Sequence, residues 1–202
     1  MKKELPNHSI YPGRPTPAWS TLLFSCLLAG VSLLMMPATV FADEQSDEQE
    51  MKAALLFKLT RFIHWPDEAS GKKIARLTIC SSSSDPISPY LDYLRNEISY
   101  GRTIDVLHSS NIEVIKKECR LLYISKSQLN ANIDGLKNSP VLTISDKLGF
   151  ARRGGMIEIT RRNERLRFHI NHAVALQADI RISAPLLKIS TIIKNDESGE
   201  AQ

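Results

Sequence analysis

Between Leu77 and Ile144, short apolar runs alternate with helix-like stretches, and this alternation limits the fold more than any other feature of the 202-residue chain. Leu77 to Cys80, Thr103 to Leu107, Leu121 to Ile124 and Val141 to Ile144 have the length and apolar, β-favouring content of strands. Between them, Ser88 is placed to cap a helix with Pro89 in its first turn, running through Tyr90, Leu91 and Leu94. Asn111 to Lys117 reads as a short helix, and Ser127 begins another that ends near Leu136. A strand that rejoins its sheet in parallel needs a crossover of about a dozen residues or more. These spacings supply it, so the expected fold is α/β: three layers around a mostly parallel central sheet. Leu121 to Ile124 is an unbroken apolar run, as a strand covered on both faces requires.

The last third changes character. Met156 to Thr160 and Arg165 to Ile170 alternate apolar with polar, and the turn Arg161-Arg162-Asn163-Glu164 joins them into a C-terminal antiparallel hairpin. Ile157, Ile159, Leu166, Phe168 and Ile170 are expected to face the core, with Arg165, Arg167 and His169 outward. Asn171 can cap a helix through Leu176, Ile180 to Ile182 reads as a short strand, and Ser183 as the cap of a final helix from Ala184 to about Ile193. Ahead of the sheet, a helix follows the acidic stretch Asp43 to Glu50 and runs to about Ile63. It stops at Trp65-Pro66, because a residue before proline avoids the helical region. Met51, Leu55, Leu59 and Phe62 form its apolar stripe, widened by Leu56, Phe57 and Ile63.

Residues 1–42 read as a cleaved signal peptide. Lys2, Lys3 and Arg14 precede an apolar run from Leu22 to Met36, and Val40-Phe41-Ala42 places small residues at a cleavage site. An uncleaved anchor is the rival, disfavoured because the apolar core is short. Residues 43–193 then form one domain, and 194–202 a loose polar tail. The whole chain carries a net charge of +4. Much of that lies in the leader, so the domain is close to neutral and gives no case for nucleic-acid binding. Outside the leader the cysteines are Cys80 and Cys119. An even count in an oxidising compartment suggests a disulfide, the alternative being two buried thiols.

Catalytic patterns are weak. Ser81 to Ser84 leads into Asp85-Pro86 and not into a glycine-rich fingerprint, so ordinary dinucleotide binding is unsupported. Its backbone could still face an anion, although a surface turn explains it better. Ser70-Gly-Lys-Lys73 fits S-x-x-K but lacks the companion motifs of acyl-enzymes. His169 and His172 form H-x-x-H without further metal ligands in view. The expectation is a protein that is no enzyme and holds no cofactor or metal. The most informative loop is Gly149 to Met156. Gly154 and Gly155 permit an unusual backbone or a close approach, and Arg152 and Arg153 suit a carboxylate or phosphate. Arg165, Arg167 and Arg181 could extend the same basic surface; a tight connection with solvated arginines is an equal alternative.

Together these residues resemble the YfiR family of periplasmic proteins, over nearly all of Met51 to Ile193. Lys52 to Pro66 is similar to the family's opening helix and its Trp65-Pro66 stop, and Cys119 to Ser125 to its cysteine-led strand. Pro140 to Ser145, Gly149-Phe150 and Gly154 to Ile157 carry the most specific stretch; Leu166 to Leu187, with Asn171 and Ser183-Ala-Pro-Leu-Leu187, the ending. The resemblance implies a periplasmic regulator that binds and restrains the periplasmic part of a membrane diguanylate cyclase or a sensor kinase. In the cyclase case it lowers cyclic-di-GMP and biofilm formation. It implies a Cys80–Cys119 disulfide and a small-ligand site at His64 and Arg181, with Ser183 where the family has a histidine. The family's second cysteine pair, around the Gly-Gly loop, is missing here. The alternative is a periplasmic module for a small anionic or aromatic ligand, serving another sensor or uptake system; a homodimer is compatible with both.

Overall fold

In the computed structural model the described residues are 40–69, 71, 74–128, 133–163 and 165–194. Residues 1–39 of the signal segment, Ser70 and both lysines of S-x-x-K, the middle of the helix expected from Ser127, and residues 195–202 of the tail lie outside them, while the expected cleavage triplet Val40-Phe41-Ala42 is helical. From Glu44 onward the chain forms one compact unit.

Helix α1 spans Val40–Leu59. Gln49, Ala53, Leu56 and Leu59 are its buried positions, a three-to-four-residue repeat that lays one face on the core. The expected stripe is therefore displaced, with Met51 39% exposed and Leu55 and Phe62 only partly buried. The apolar arc is broad enough to permit either orientation, and the observed one lets the Lys52 ammonium reach Asp146. A 3-10 turn, Thr60–Phe62, leads into β1 (Ile63–His64) and α2 (Pro66–Ala69).

The remaining elements are β2 (Arg76–Ser81), α3 (Ser88–Asp92), β3 (Ile98–Ser99), β4 (Arg102–His108), α4 (Ile112–Glu118), β5 (Leu121–Ile124), β6 (Leu142–Ser145), β7 (Ile157–Arg162), β8 (Arg165–Ile170), α5 (His172–Gln177), β9 (Arg181–Ile182), α6 (Ala184–Lys188) and β10 (Ser190–Ile192). Eight strands form one sheet in the order β10-β8-β7-β6-β5-β2-β4-β3. Its neighbours are parallel except at β3–β4 and at the β7–β8 hairpin. β1 and β9 form a separate antiparallel ribbon. The fold is thus α/β with a mostly parallel sheet and a C-terminal hairpin, as the spacing predicts.

Strand residues alternate between two cores. Leu121 and Tyr123 pack with Leu56, Leu59, Ile144 and Ile157 on the α1 side. Leu122 and Ile124 pack with Ile115, Leu136 and Phe150 on the other. On that second side Cys80 and Cys119 form a disulfide, with Cα atoms 5.9 Å apart. It ties β2 to the end of α4 across a sequence separation of 39 residues, worth about 4 kcal/mol of unfolded-chain entropy.

Several local expectations are corrected. Ser88 does not cap α3; Ile87 holds that position, and the Ser88 hydroxyl donates to the Ser82 carbonyl (2.7 Å). The last helix stops at Lys188, and Ser190–Ile192 pairs in parallel with β8 instead of continuing the helix. Ser183 precedes that helix without a side-chain cap bond. Of the helix expected from Ser127, the described part shows only a 3-10 turn, Asp134–Leu136. Leu166, expected inside, is 38% exposed, because it borders the cavity beside Met51 and Leu55 of α1 instead of filling the core.

The sheet reverses direction at β2, which lies between β4 and β5. Ligands of open α/β sheets usually sit at such a switch point, beyond the carboxyl ends of the strands. Here a protein side chain is already there. Asp85, almost fully buried, accepts hydrogen bonds from the Ile87 N–H (3.2 Å) and the Ser125 N–H (3.2 Å). The neighbouring serines bond one another: Ser81 with Ser88 (3.0 Å) and Ser82 with Ser84 (3.1 Å). The serine loop is a self-satisfied turn.

Candidate functional site

The binding residues expected from the sequence fall in two separate places. The first is the β1–β9 ribbon, where His64 is paired directly with Arg181 although the two are 117 positions apart in the sequence. The Trp65-Pro66 stop makes this possible. Trp65 is wholly buried and its indole N–H donates to the Arg120 carbonyl (3.0 Å). Arg102, also buried, lies over the indole at 5.3 Å and donates to Glu68 (3.0 Å) and to the Thr60 carbonyl (2.9 Å). Arg120 in turn reaches Asp67 (2.9 Å). These bonds fix the direction in which the chain leaves Trp65, and the Ser183 N–H donates to the Phe62 carbonyl (2.8 Å) to close the ribbon.

The surface of the ribbon is polar and open. The His64 ring is more than half exposed; its Nε2 lies 3.0 Å from Ser183 Oγ and its Nδ1 3.9 Å from Glu68. Arg181 is exposed beside it. An imidazole, a hydroxyl and a guanidinium within one pair of strands can hold a small carboxylate or phosphate by charge-assisted hydrogen bonds. Trp65 itself offers no stacking face to a ligand, because its ring is buried under Arg102.

The second place is the loop after β6. Asn171 caps α5 by accepting from the Val174 N–H (3.2 Å), and its amide donates to the Ala151 carbonyl (2.9 Å). The buried Glu158 carboxylate accepts from the Ala151 N–H (3.2 Å). Gly154 has a φ of 93°, which favours glycine. A Cβ on Gly155 would collide with the Phe150 ring. The glycine pair therefore serves a tight internal turn and not a close approach to a ligand. Arg153 is folded back, donating to the Leu148 carbonyl (2.8 Å). Arg152 is exposed and lines a depression with Thr160, Arg162 and His169. Neither His64 nor Arg181 belongs to that depression.

Sequence reasoning missed a third feature. At the carboxyl ends of β5 and β6, under α1, lies a cavity of about 390 Å³ lined in part by Lys52, Tyr123, Lys126 and Asp146. Lys52 bridges Glu48 and Asp146. Burial works against the charged ammonium, but hydrogen bonds to the two carboxylates outweigh it and hold Lys52 above the ordinary lysine pKa. Among the described residues the buried Tyr123 hydroxyl has no partner in good hydrogen-bond geometry, although the Asp146 carboxylate lies near it; burial, then the charge of Asp146, pushes its titration far above the tyrosine range. Lys52 on a mostly apolar helix was the available signal. Among the described residues, no group of three or more His, Cys, Asp or Glu side chains could hold a metal ion, and no helix is long and apolar enough to cross a membrane.

The fold and site define the class as a disulfide-pinned α/β domain with a short polar ribbon. More specifically, the chain belongs to the YfiR/HmsC-like family, whose model matches residues 49–191. That family is one of periplasmic regulators. No curated protein matches the chain. Among solved structures, an ABC domain from Streptococcus pneumonia in complex with L-Trp is 12% identical, with a TM-score of 0.45. A conserved domain protein from Vibrio cholerae is 11% identical, also with a TM-score of 0.45. Each alignment covers 72% of this chain and 60% of the other, so the chain spans well under two thirds of either structure.

Proposed function

We propose that this protein is exported to the periplasm and there binds and restrains the periplasmic part of a membrane diguanylate cyclase, lowering cyclic-di-GMP and with it biofilm formation. The observation that carries this reading is the family match across nearly the whole described domain. The structure is compatible with action by contact: its conspicuous polar features, the His64–Arg181–Ser183 ribbon and the Arg152 depression, lie open on the surface. Deleting the gene is expected to raise cellular cyclic-di-GMP, and restoring it to bring the level back. Unchanged cyclic-di-GMP in the deletion strain would rule out the cyclase.

A second reading rests on the ribbon itself. His64 lies opposite Arg181 and within hydrogen-bond reach of Ser183, and this supports a ligand-binding module for small anions that serves a different sensor or uptake system. A thermal-shift screen with nucleotides and aromatic amino acids is expected, on this reading, to find a stabilising ligand whose effect disappears in Arg181→Ala.

A further inference from the structure

The outer side of the β7–β8 hairpin bears an open depression lined, among the described residues, by strand and turn side chains alone. Register places Arg162 directly opposite Arg165, Thr160 opposite Arg167 and Glu158 opposite His169, so all six side chains share one face. With Thr191 of β10, five of them line an open depression of about 630 Å³, from which only Glu158 is missing. An adjoining depression carries the basic surface on to Arg152. Glu158 is the one carboxylate of this face among the described residues, and it is buried and engaged by the Ala151 N–H. None of Arg152, Arg162, Arg165 and Arg167 forms a salt bridge with a described residue.

Like charges placed directly across a strand pair repel and weaken the hairpin. A cross-strand arginine pair with no acidic partner among the described residues is thus an unfavourable arrangement, and an external anion relieves it. The spacing says what kind. Same-side residues of a strand repeat every ~7 Å, which is the interval between Arg165, Arg167 and His169 along β8. An extended peptide with acidic residues at alternate positions presents carboxylates at the same interval. Guanidinium groups bind carboxylates bidentately, and a recessed trough accepts a narrow chain better than a flat lipid surface.

We propose that the β7–β8 face is the docking site for an extended acidic segment of a partner protein, with Arg162, Arg165 and Arg167 as its carboxylate receptors. The proposal rests on the reading that the protein works by contact, and it adds the chemistry of the contacted segment. It is tested with the purified protein and a fluorescent peptide of alternating Glu and Thr, by anisotropy. Binding is expected to weaken about tenfold or more in the double variant Arg165→Gln/Arg167→Gln, to weaken with salt, and to be unchanged in Lys117→Gln on α4. The same double variant is expected to melt at or above the wild-type temperature, because repulsion is relieved. A peptide that binds the variant as well as the wild type would overturn the proposal. So would arginine-dependent binding to phosphatidylglycerol vesicles with none to the peptide, which assigns the face to lipid. If the peptide fails but gene deletion still raises cyclic-di-GMP, this inference falls and the proposed function stands.

Discussion

Tyr123 shows how one atom can carry a cost. Its ring fills the core between α1 and β5, yet among the described residues its buried hydroxyl has no partner in good geometry, with the Asp146 carboxylate close by. A buried unpaired hydroxyl costs roughly 1–3 kcal/mol. Tyr123→Phe keeps the ring and removes that group, so it is expected to raise stability by about 1 kcal/mol in urea unfolding; a loss would mean that the hydroxyl is satisfied in solution. At this scale the sequence was only partly legible. Two adjacent arginines after Gly149 look equivalent in the sequence, but Arg153 turns back onto the Leu148 carbonyl and Arg152 turns out. That choice is made by the 3-10 turn Ala151–Arg153, which depends on Glu158 and Asn171, residues whose partnership only the folded chain reveals. The juxtaposition of His64 and Arg181 was likewise invisible to periodicity and came from family resemblance alone.

Elements with a strong pattern of their own were read correctly. The strand at Leu121 is an unbroken apolar run, the one at Leu142 is β-favouring and wholly buried, and the hairpin alternates. Elements that exist because of a partner were misread or missed. β10, a three-residue strand, was absorbed into the final helix because Ala184 to Ile193 has adequate helical character and only pairing with β8 straightens its end. β1 and β3, of two residues each, have no periodicity to detect. At this scale the disulfide joins β2 to α4, and its loss is expected to matter more than any surface change. Cys80→Ser with Cys119→Ser should lose about 2–4 kcal/mol, and the wild type should lose a similar amount under dithiothreitol. Equal urea midpoints with and without reductant would contradict this.

For the molecule as a whole, pH gives a check on the charge network. Lys52 holds Glu48 below its ordinary pKa of 4.5, a lowering that outweighs the opposing effect of burial. Burial tends to raise Asp92, but Arg95 and His108 together hold it below its ordinary 3.8. For such carboxylates the unfolded chain binds the proton more tightly. Their stabilisation is complete above the ordinary values and disappears as pH falls through the lowered folded ones. Lys52 is shifted upward from 10.5, so its contribution is complete below that value and is lost as pH climbs past the raised one. The urea midpoint is therefore expected to be level across the neutral range, to fall below about pH 4.5, and to fall again in strong alkali.

Asp85 has a consequence for how the chain came to work as it does. In many doubly wound proteins the crevice at the strand reversal is vacant and receives the guest. This chain seats its own carboxylate there, on two backbone donors, so the fold's inherited berth is shut. On the proposed reading, recognition then falls to the rim, to the small ribbon at one place and the arginine-studded hairpin at another, and the domain reads what touches its outside.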